Sequence, residues 1–198
     1  MTTQGFQGRS RRADPAIPPG QYVTDDFPVL TAGPTIDVDR DAWSLTVTDG
    51  IATETYDWDG LHALGPEDIT VDIHCVTHWT KLGTTWTGVP VAKVFDDAGV
   101  GDFDFALVSS YGDYTTNVPV ADLVDHDAMI AVAFEGEPIE EEHGGPVRLV
   151  VPHLYFWKSA KWVRKIRLAD DEAQGFWEAA GYHNYGDPWL EQRYDEEP

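Results

Sequence analysis

The chain of 198 residues is long enough for one domain with its own hydrophobic core, and 42% hydrophobic residues supply the material for that core. Its 35 acidic and 13 basic residues give a formal net charge of −22, which argues against nucleic acid and anionic lipid as partners. The longest apolar runs, "MIAVAF" and "VRLVVP", are too short for a membrane span, and the single cysteine excludes an internal disulfide.

These totals also carry expectations about the environment. A chain without disulfides suits a reducing compartment, so we expect a cytoplasmic protein. A strongly acidic surface with only five lysines suits a protein kept soluble in high salt, where its self-repulsion is screened. We therefore expect a halophilic source, with an ordinary acidic cytosolic protein as the alternative.

The first residues look different from the rest of the chain. They contain Arg9, Arg11 and Arg12 but no apolar stretch like that of an export signal. We predict a flexible basic arm over residues 1–20 and a single domain over residues 21–198.

From residue 43 to Gly99 the pattern predicts two strands and a helix. The stretch "AWSLTVTDGI" alternates like a strand and ends at a turn-forming Asp-Gly pair. The second strand, "DITVDIHCV", places Cys75 at or just beyond its end. "WTGVPVAKVFDDAGV" then predicts a turn and a short helix that starts near Pro90 and stops at Gly99.

The second half of the chain is also rich in strands. The predicted elements are a strand "FDFALVSSY", a short helix "VPVADLVDHD", a strand and hairpin "MIAVAFEGEPI", the strands "PVRLVVPHLY" and "KWVRKIRLA", and a short helix and loop "EAQGFWEAAGYHNYG". Strands with short helices between them predict an α+β fold with mixed β-sheets. No glycine-rich phosphate loop of the nucleotide-binding kinds is present.

Acidic residues are missing from two long segments. Residues 73–95 and 143–169 contain no Asp or Glu, yet the second segment carries six bases: Arg148, Lys158, Lys161, Arg164, Lys165 and Arg167. Burial alone would explain the missing acids, because charges are costly to bury, but it would not explain the retained bases. We therefore predict that the two segments meet around an anion.

Cys75, in the first of these segments, has four possible roles. It could be an inert buried residue, a zinc ligand with His74 and His78, a nucleophile with His78 as its base, or the one protein ligand of a metal that a cofactor holds. Neighbouring residues on a strand point to opposite faces, which disfavours shared zinc binding by His74 and Cys75. Only the last role also uses the second segment.

Two motifs carry a family likeness. "HCVTHW…WTGVPV" and "HGGPVRLVVPHLYFWKSAKWV" resemble the molybdopterin-binding domain of the sulfite oxidase family, in particular its small members that consist of this domain alone. The resemblance runs from about Tyr22 to Leu168. It implies the sulfite oxidase-type molybdopterin-binding fold and the cofactors molybdenum and molybdopterin.

The resemblance also implies roles for individual residues. Cys75 would bind molybdenum, and His143 and Arg148 would bind the pterin. Further cofactor contacts would fall on Tyr22, Thr24, Asp25 and Asp26, on Ser109 in preference to Ser110, and on Ser159, Ala160 and Lys161. The two aspartates depart from the family, which often has Asn and His there. We expect Trp79, Trp86, Trp157 and Trp162 to be core or pocket walls.

The function implied by the resemblance is two-electron oxygen-atom transfer on a small substrate, with an external electron donor or acceptor protein. No arginine lies between Asp41 and Val147, so we predict that a small S-oxide or N-oxide is a better substrate than sulfite, with His78 or Lys81 as the proton donor. The alternatives are a metal-free anion-binding module with the same fold and a zinc or thiol hydrolase.

Overall fold

The computed structural model describes residues 17–195. In chain order its strands are β1 (Tyr22–Val23), β2 (Leu45–Thr48), β3 (Thr53–Tyr56), β4 (Glu67–His74), β5 (Trp79–Pro90), β6 (Phe105–Ser110), β7 (Thr115–Pro119), β8 (Met129–Phe134), β9 (Glu137–Pro138), β10 (Arg148–Val150) and β11 (Val163–Ala169). The α-helices are α1 (Trp58–Ala63), α2 (Val91–Ala98) and α3 (Val120–Val124). Single 3₁₀ turns cover Arg40–Ala42, Glu141–His143, Phe156–Lys158 and Glu178–Ala180.

These strands form two mixed sheets, which confirms the predicted α+β class. In the first sheet β5 pairs antiparallel with β4 and β8 and parallel with β1, while β10 and β9 pair with β8. The second sheet has the order β3-β2-β11-β6-β7, with one parallel pair between β11 and β2. No helix within residues 17–195 has the length and apolar character needed to cross a membrane.

Alternate residues of β8 and β10 face two different hydrophobic clusters. Ile130 and Leu149 belong to the larger cluster, which joins both sheets to the helices. Met129 and Val150 belong to the smaller one, which also contains Cys75 and the two large side chains Trp79 and Trp86. Because successive strand residues point to opposite faces, the smaller cluster covers the other face of the first sheet and carries the cysteine.

One local prediction was wrong, and β3, α1 and β7 were not predicted. "WTGVP" is the end of the long strand β5 and not a turn, because its glycine serves a close strand contact: a Cβ on Gly88 would lie 2.3 Å from the carbonyl oxygen of Ile130. The sequence "TTNVP" forms β7, which was not predicted because its threonine and asparagine are buried against other elements and break the usual alternation. The helix from Pro90 to Gly99 is confirmed, with Gly99 at φ 63°.

The predicted basic arm lies mostly outside the described residues, since these begin at residue 17. Within its last four residues, Ile17 is buried, and the carbonyl oxygen of Gly20 lies 3.1 Å from Nδ1 of His78. The division into an arm over residues 1–20 and one domain thus stays a prediction.

Candidate functional site

Cys75 lies in a tight turn between β4 and β5. Its amide donates to the carbonyl oxygen of Trp79 at 2.9 Å, and its own carbonyl accepts from the amide of His78 at 3.0 Å. The Sγ atom lies 3.2 Å from Thr77 Oγ1, and the residue is only 6% exposed. Burial raises the pKa of the thiol, while the hydrogen bonds from Thr77 and the charge of Arg193 oppose that rise.

This turn forms part of the wall of a cavity of about 630 Å³. Five parts of the chain line it: the segment of residues 27–36, the Cys75 turn, the connection from β6 to β7, residues between 143 and 162, and an aromatic C-terminal part. Most of the wall is apolar or aromatic, and Asp113 is the one acidic residue in it. The two acid-free segments therefore meet here, as the sequence predicted.

Arg148 is the most deeply buried cation of the cavity wall, at 1% exposure. Its Nη1 donates to the carbonyl of His143 at 2.6 Å and its Nη2 to that of Ser159 at 2.8 Å, and the guanidinium lies 4.3 Å from the ring centre of Phe156. Within residues 17–195 it makes no ion pair. Burial lowers its pKa to about 9, since no carboxylate compensates the charge.

Lys161 places a second cation on the same wall. Its Nζ donates to the carbonyl of Glu142 at 2.6 Å, and burial together with Arg148 lowers its pKa to about 8. His143 stacks on Phe27 with ring centres 3.9 Å apart, and burial, Arg148 and Lys161 lower its pKa to about 4. The imidazole is therefore neutral at pH 7, and Arg148 and Lys161 carry the positive charge of the cavity.

Two glycines explain how the "HGGPVR" motif reaches this arrangement. Gly144 has φ 103°, and a Cβ on it would lie 2.7 Å from Cβ of Lys161. A Cβ on Gly145 would lie 2.0 Å from the carbonyl oxygen of Ile139. Only glycine fits at these two positions, which lets the backbone pack directly against Lys161.

The structure brings together five of the predicted site residues around the cavity: Cys75, His143, Arg148, Ser159 and Lys161. Ser110 lines it instead of Ser109, because it is the buried Ser110 side chain that turns inward and donates to the carbonyl of Lys161 at 2.5 Å. Ala160 is buried and does not line the cavity; its carbonyl accepts from the amide of Leu149 at 2.9 Å.

The remaining predicted residues form a separate group outside the cavity wall. The amides of Tyr22 and Thr24 donate to the carbonyls of His78 and Thr80, at 2.8 and 2.9 Å. Lys81 Nζ donates to the carbonyl of Asp25 at 2.5 Å, and His78, Lys81, Tyr22, Thr24, Asp25 and Asp26 are all absent from the wall. The N-terminal contribution comes from the next residues, 27–36.

Lys158 does not serve the cavity either. It is completely buried and forms an ion pair with Glu178 at 2.6 Å. Three other bases of the second segment, Arg164, Lys165 and Arg167, lie on the exposed side of β11. Of the six bases there, only Arg148 and Lys161 face the cavity.

Two contributions to the site, from Arg193 and Tyr182, were not predicted from the sequence. Arg193 is 5% exposed and donates to the carbonyl of Val76 at 2.6 Å, which brings an arginine next to the Cys75 turn. Tyr182 lines the cavity, and burial, Tyr194 and Cys75 raise its pKa. Trp79 lines the cavity, as expected of a pocket wall, and within the described residues its Nε1 is a buried donor without a hydrogen-bond partner. No short-range pattern links Arg193 or Tyr182 to Cys75.

Comparisons with known proteins give one matching family model and several relatives. The family model described as "oxidoreductase molybdopterin binding domain" matches residues 32–177. The oxidoreductase YuiH of Bacillus subtilis is 39% identical over 96% of this chain and 98% of its own length. Mitochondrial sulfite oxidase of Drosophila melanogaster is 23% identical over 83% of this chain, and the methionine-sulfoxide reductase catalytic subunit MsrP of Ralstonia nicotianae is 25% identical over 73%.

The last two matches cover only part of the relatives, 32% of the sulfite oxidase and 49% of MsrP. Among solved structures, the sulfane dehydrogenase SoxCD of Paracoccus pantotrophus superposes with a TM-score of 0.61 at 21% identity, over 69% of this chain and 40% of that one. This match supports the same fold.

Proposed function

This chain belongs to the oxidoreductase molybdopterin-binding domain family, and on that premise we propose that it is a molybdenum-dependent enzyme that transfers an oxygen atom to or from a small substrate. The cofactor of the family is molybdopterin. The proposal rests on one observation: the thiol of Cys75 and the two cations Arg148 and Lys161 line the same cavity.

The residues of this cavity fit such a cofactor. A thiolate is a soft ligand that suits a redox-active metal. Arg148 is a buried guanidinium without a carboxylate partner among the described residues, and an anionic cofactor in contact with it would supply the missing counter-charge.

We assign the residues of the cavity as follows. Cys75 holds the metal, His143 and Arg148 hold the pterin, and Ser159 and Lys161 hold its phosphate end. When bound, the cofactor supplies two electrons and the exchange of an oxygen atom. Tyr182 holds a proton at its hydroxyl oxygen and replaces His78 and Lys81 as the proposed proton donor, because those two residues do not line the cavity. The aromatic walls keep water away from the reacting centre.

For the substrate we propose a small S-oxide or N-oxide that is reduced faster than sulfite is oxidised. The cavity wall is largely aromatic, with Trp157, Trp177 and Tyr182 among its residues, and two of its aromatic residues, Trp79 and Phe156, pack in the same hydrophobic cluster as Cys75. Arg193 is near, but its guanidinium is held by the carbonyl of Val76 and does not line the cavity. Within residues 17–195 the only Lys and Arg side chains that line the cavity are Arg148 and Lys161, which we assign to the cofactor, so a doubly charged anion would find no further cation there, while a neutral S-oxide needs none.

One experiment tests both the cofactor assignment and the substrate assignment. Protein purified from a molybdenum-competent host is analysed for molybdenum and for pterin fluorescence after denaturation. The loaded enzyme is then assayed with methionine sulfoxide plus a reduced viologen dye, and with sulfite plus an artificial acceptor. We expect molybdenum, pterin and a higher kcat/KM for the sulfoxide.

The outcomes separate the claims. A higher kcat/KM for sulfite contradicts the substrate assignment and leaves the cofactor assignment intact. Bound pterin without metal or redox activity would favour the metal-free anion-binding module. Absence of both metal and pterin contradicts the proposal as a whole. The external electron partner and the cytoplasmic location stay predictions.

A further inference from the structure

A second group of ligand-type side chains lies outside the cavity wall. Asp122 belongs to α3, His126 follows the end of that helix, and His153 lies in the loop after β10. Asp122 Oδ1 is 2.7 Å from Nε2 of His153 and 4.0 Å from Nε2 of His126, and one ligand atom from each of the three residues falls within 4.8 Å of the others. None of the three lines the cofactor cavity.

The spacing of this group matches a small metal ion. Two ligand atoms of a tetrahedral ion, each about 2.0–2.1 Å from it, lie about 3.3 Å apart. The observed separations of 2.7 and 4.0 Å lie on either side of that value. A change of less than an ångström in each of these two separations would therefore reach that value, and the rings of His126 and His153 already lie in contact, with their centres 4.4 Å apart.

The exposed fractions of the three side chains show that an ion could reach the group from solvent. Asp122 is buried, with 7% of its side chain exposed, while His153 is 26% and His126 54% exposed. The carboxylate thus forms the floor of the group and the outer imidazole faces solvent. The large negative charge of the whole chain raises the local concentration of cations.

The existing hydrogen bonds leave the ligand atoms of Asp122, His126 and His153 available to a metal ion. Tyr185 donates its hydroxyl to Asp122 Oδ1 at 3.1 Å, which holds the carboxylate in place. His126 Nε2 is too far from that oxygen for a hydrogen bond. His153 Nδ1 is buried and has no hydrogen-bond partner within residues 17–195, so the ring can turn Nε2 from the carboxylate to an ion without losing a second bond.

We propose that Asp122, His126 and His153 bind one divalent transition-metal ion of the zinc class, separate from the cofactor. Two imidazoles and one carboxylate are the donor set that such ions prefer over magnesium or calcium, and water completes the coordination. The ion ties α3 to the loop after β10. Through Tyr185 it also steadies the C-terminal segment that carries Tyr182.

The test uses cofactor-loaded, tag-free protein that has been treated with a chelator. Zn²⁺ is titrated in the presence of excess Mg²⁺, which occupies acidic oxygen-only sites but competes poorly for imidazole. We expect one equivalent of Zn²⁺ to bind and the Tm to rise. His126→Ala, a change at an exposed position, should weaken binding about tenfold or more, whereas the matched control His62→Ala should bind as the wild type does.

Co²⁺ provides a second readout that needs no variant. Tetrahedral Co²⁺ bound to nitrogen and oxygen shows visible bands without a sulfur charge-transfer band. No Zn²⁺ binding by the wild type overturns the proposal, and it leaves Asp122 and His153 as a hydrogen-bonded pair only. Unchanged Zn²⁺ binding by His126→Ala, or a sulfur band that disappears in Cys75→Ser, overturns it as well.

Discussion

At the scale of single residues, Cys75 and Arg148 have different proposed roles in the cavity: Cys75 binds the metal, and Arg148 binds the anionic cofactor. Cys75 offers a soft donor at the end of β4, and Arg148 offers charge on the wall. Because the two roles fall on different side chains, metal binding and anion binding can be changed one at a time. Each of the first two predictions tests one side of this division.

Cys75→Ser should keep the pterin and lose activity. Arg148, assigned to the pterin, and Lys161, assigned to its phosphate end, would still hold the cofactor, while the hard serine oxygen replaces the soft ligand of the metal. We expect kcat/KM to fall by about two orders of magnitude or more, with pterin content per protein near that of the wild type. Protein without pterin would show that the thiolate itself retains the cofactor.

Arg148→Ala and Lys161→Ala should have the opposite effect and yield protein that is poor in cofactor. A charge-assisted hydrogen bond to an anion contributes about 1.5–3 kcal/mol, which corresponds to a loss of affinity of about tenfold to hundredfold. Pterin content is the measurement. Arg164→Ala, on the exposed side of β11, is the matched control and should remain fully loaded. Full loading of all three variants would contradict the role of the two cations.

The pH dependence of anion binding follows from Lys161. Burial and Arg148 lower its pKa in the cofactor-free protein from 10.5 to about 8, so the ammonium is mostly charged at pH 7 and mostly neutral at pH 9, whereas Arg148, with a pKa of about 9, titrates at higher pH. Affinity for sulfate, which does not titrate in this range, should therefore fall about tenfold between pH 7 and pH 9. Calorimetry measures it. In Lys161→Arg the fall should move to higher pH, and an unmoved fall would assign it to another group.

At the scale of elements, the turn that carries the "HGGPVR" motif is as important as its charged residues. Gly144 must adopt φ 103° and also leave room for Lys161. Gly50 has a similar φ of 88°, yet a Cβ there would meet no atom within 4 Å. Substitutions at Gly144 and Gly50 therefore both introduce backbone strain, but only a substitution at Gly144 also displaces Lys161.

We expect Gly144→Ala to lose cofactor and Gly50→Ala to keep it. Both variants bear the strain of a side chain at positive φ, about 1 kcal/mol, but only Gly144→Ala pushes Lys161 from its place. Thermal unfolding and pterin content are measured side by side. Equal pterin loss in both variants would mean that general destabilisation, and not the position of Lys161, controls loading.

The same scale shows what the sequence could and could not predict. The position of Cys75 after a strand, the helix from Pro90 to Gly99 and the hairpin after Met129 follow from local patterns, and the structure agrees. The pairing of residues 22–25 with the start of β5 depends on a contact between distant parts of the chain. Local pattern could not show that this pairing holds Lys81 outside the cavity.

At the scale of the whole molecule, the charge of −22 should make stability depend on salt. Repulsion among exposed carboxylates destabilises the folded state and is screened as the Debye length falls from about 10 Å at 0.1 M to about 3 Å at 1 M salt. We expect the Tm to rise over this range of KCl. An unchanged Tm would contradict the expected adaptation to high salt.

Distance along the chain also limits the prediction of the site. Cys75 and the "HGGPVR" motif were found because each is a local pattern with a resemblance to a family. Arg193 and Tyr182 reach the same place from the C-terminal part of the chain, with no pattern that ties them to Cys75. The donors of the cavity were thus predictable, while much of its aromatic wall was not.

The wide spread of the cavity residues sets an order of events during synthesis. The wall combines Phe27 with Tyr182, and the Cys75 turn is held by Arg193. A ribosome releases these parts many seconds apart, at about 5–20 residues per second. A nascent chain that has emerged only as far as β11 lacks the last wall, so the complete pocket can receive its cofactor only after translation has passed Arg193.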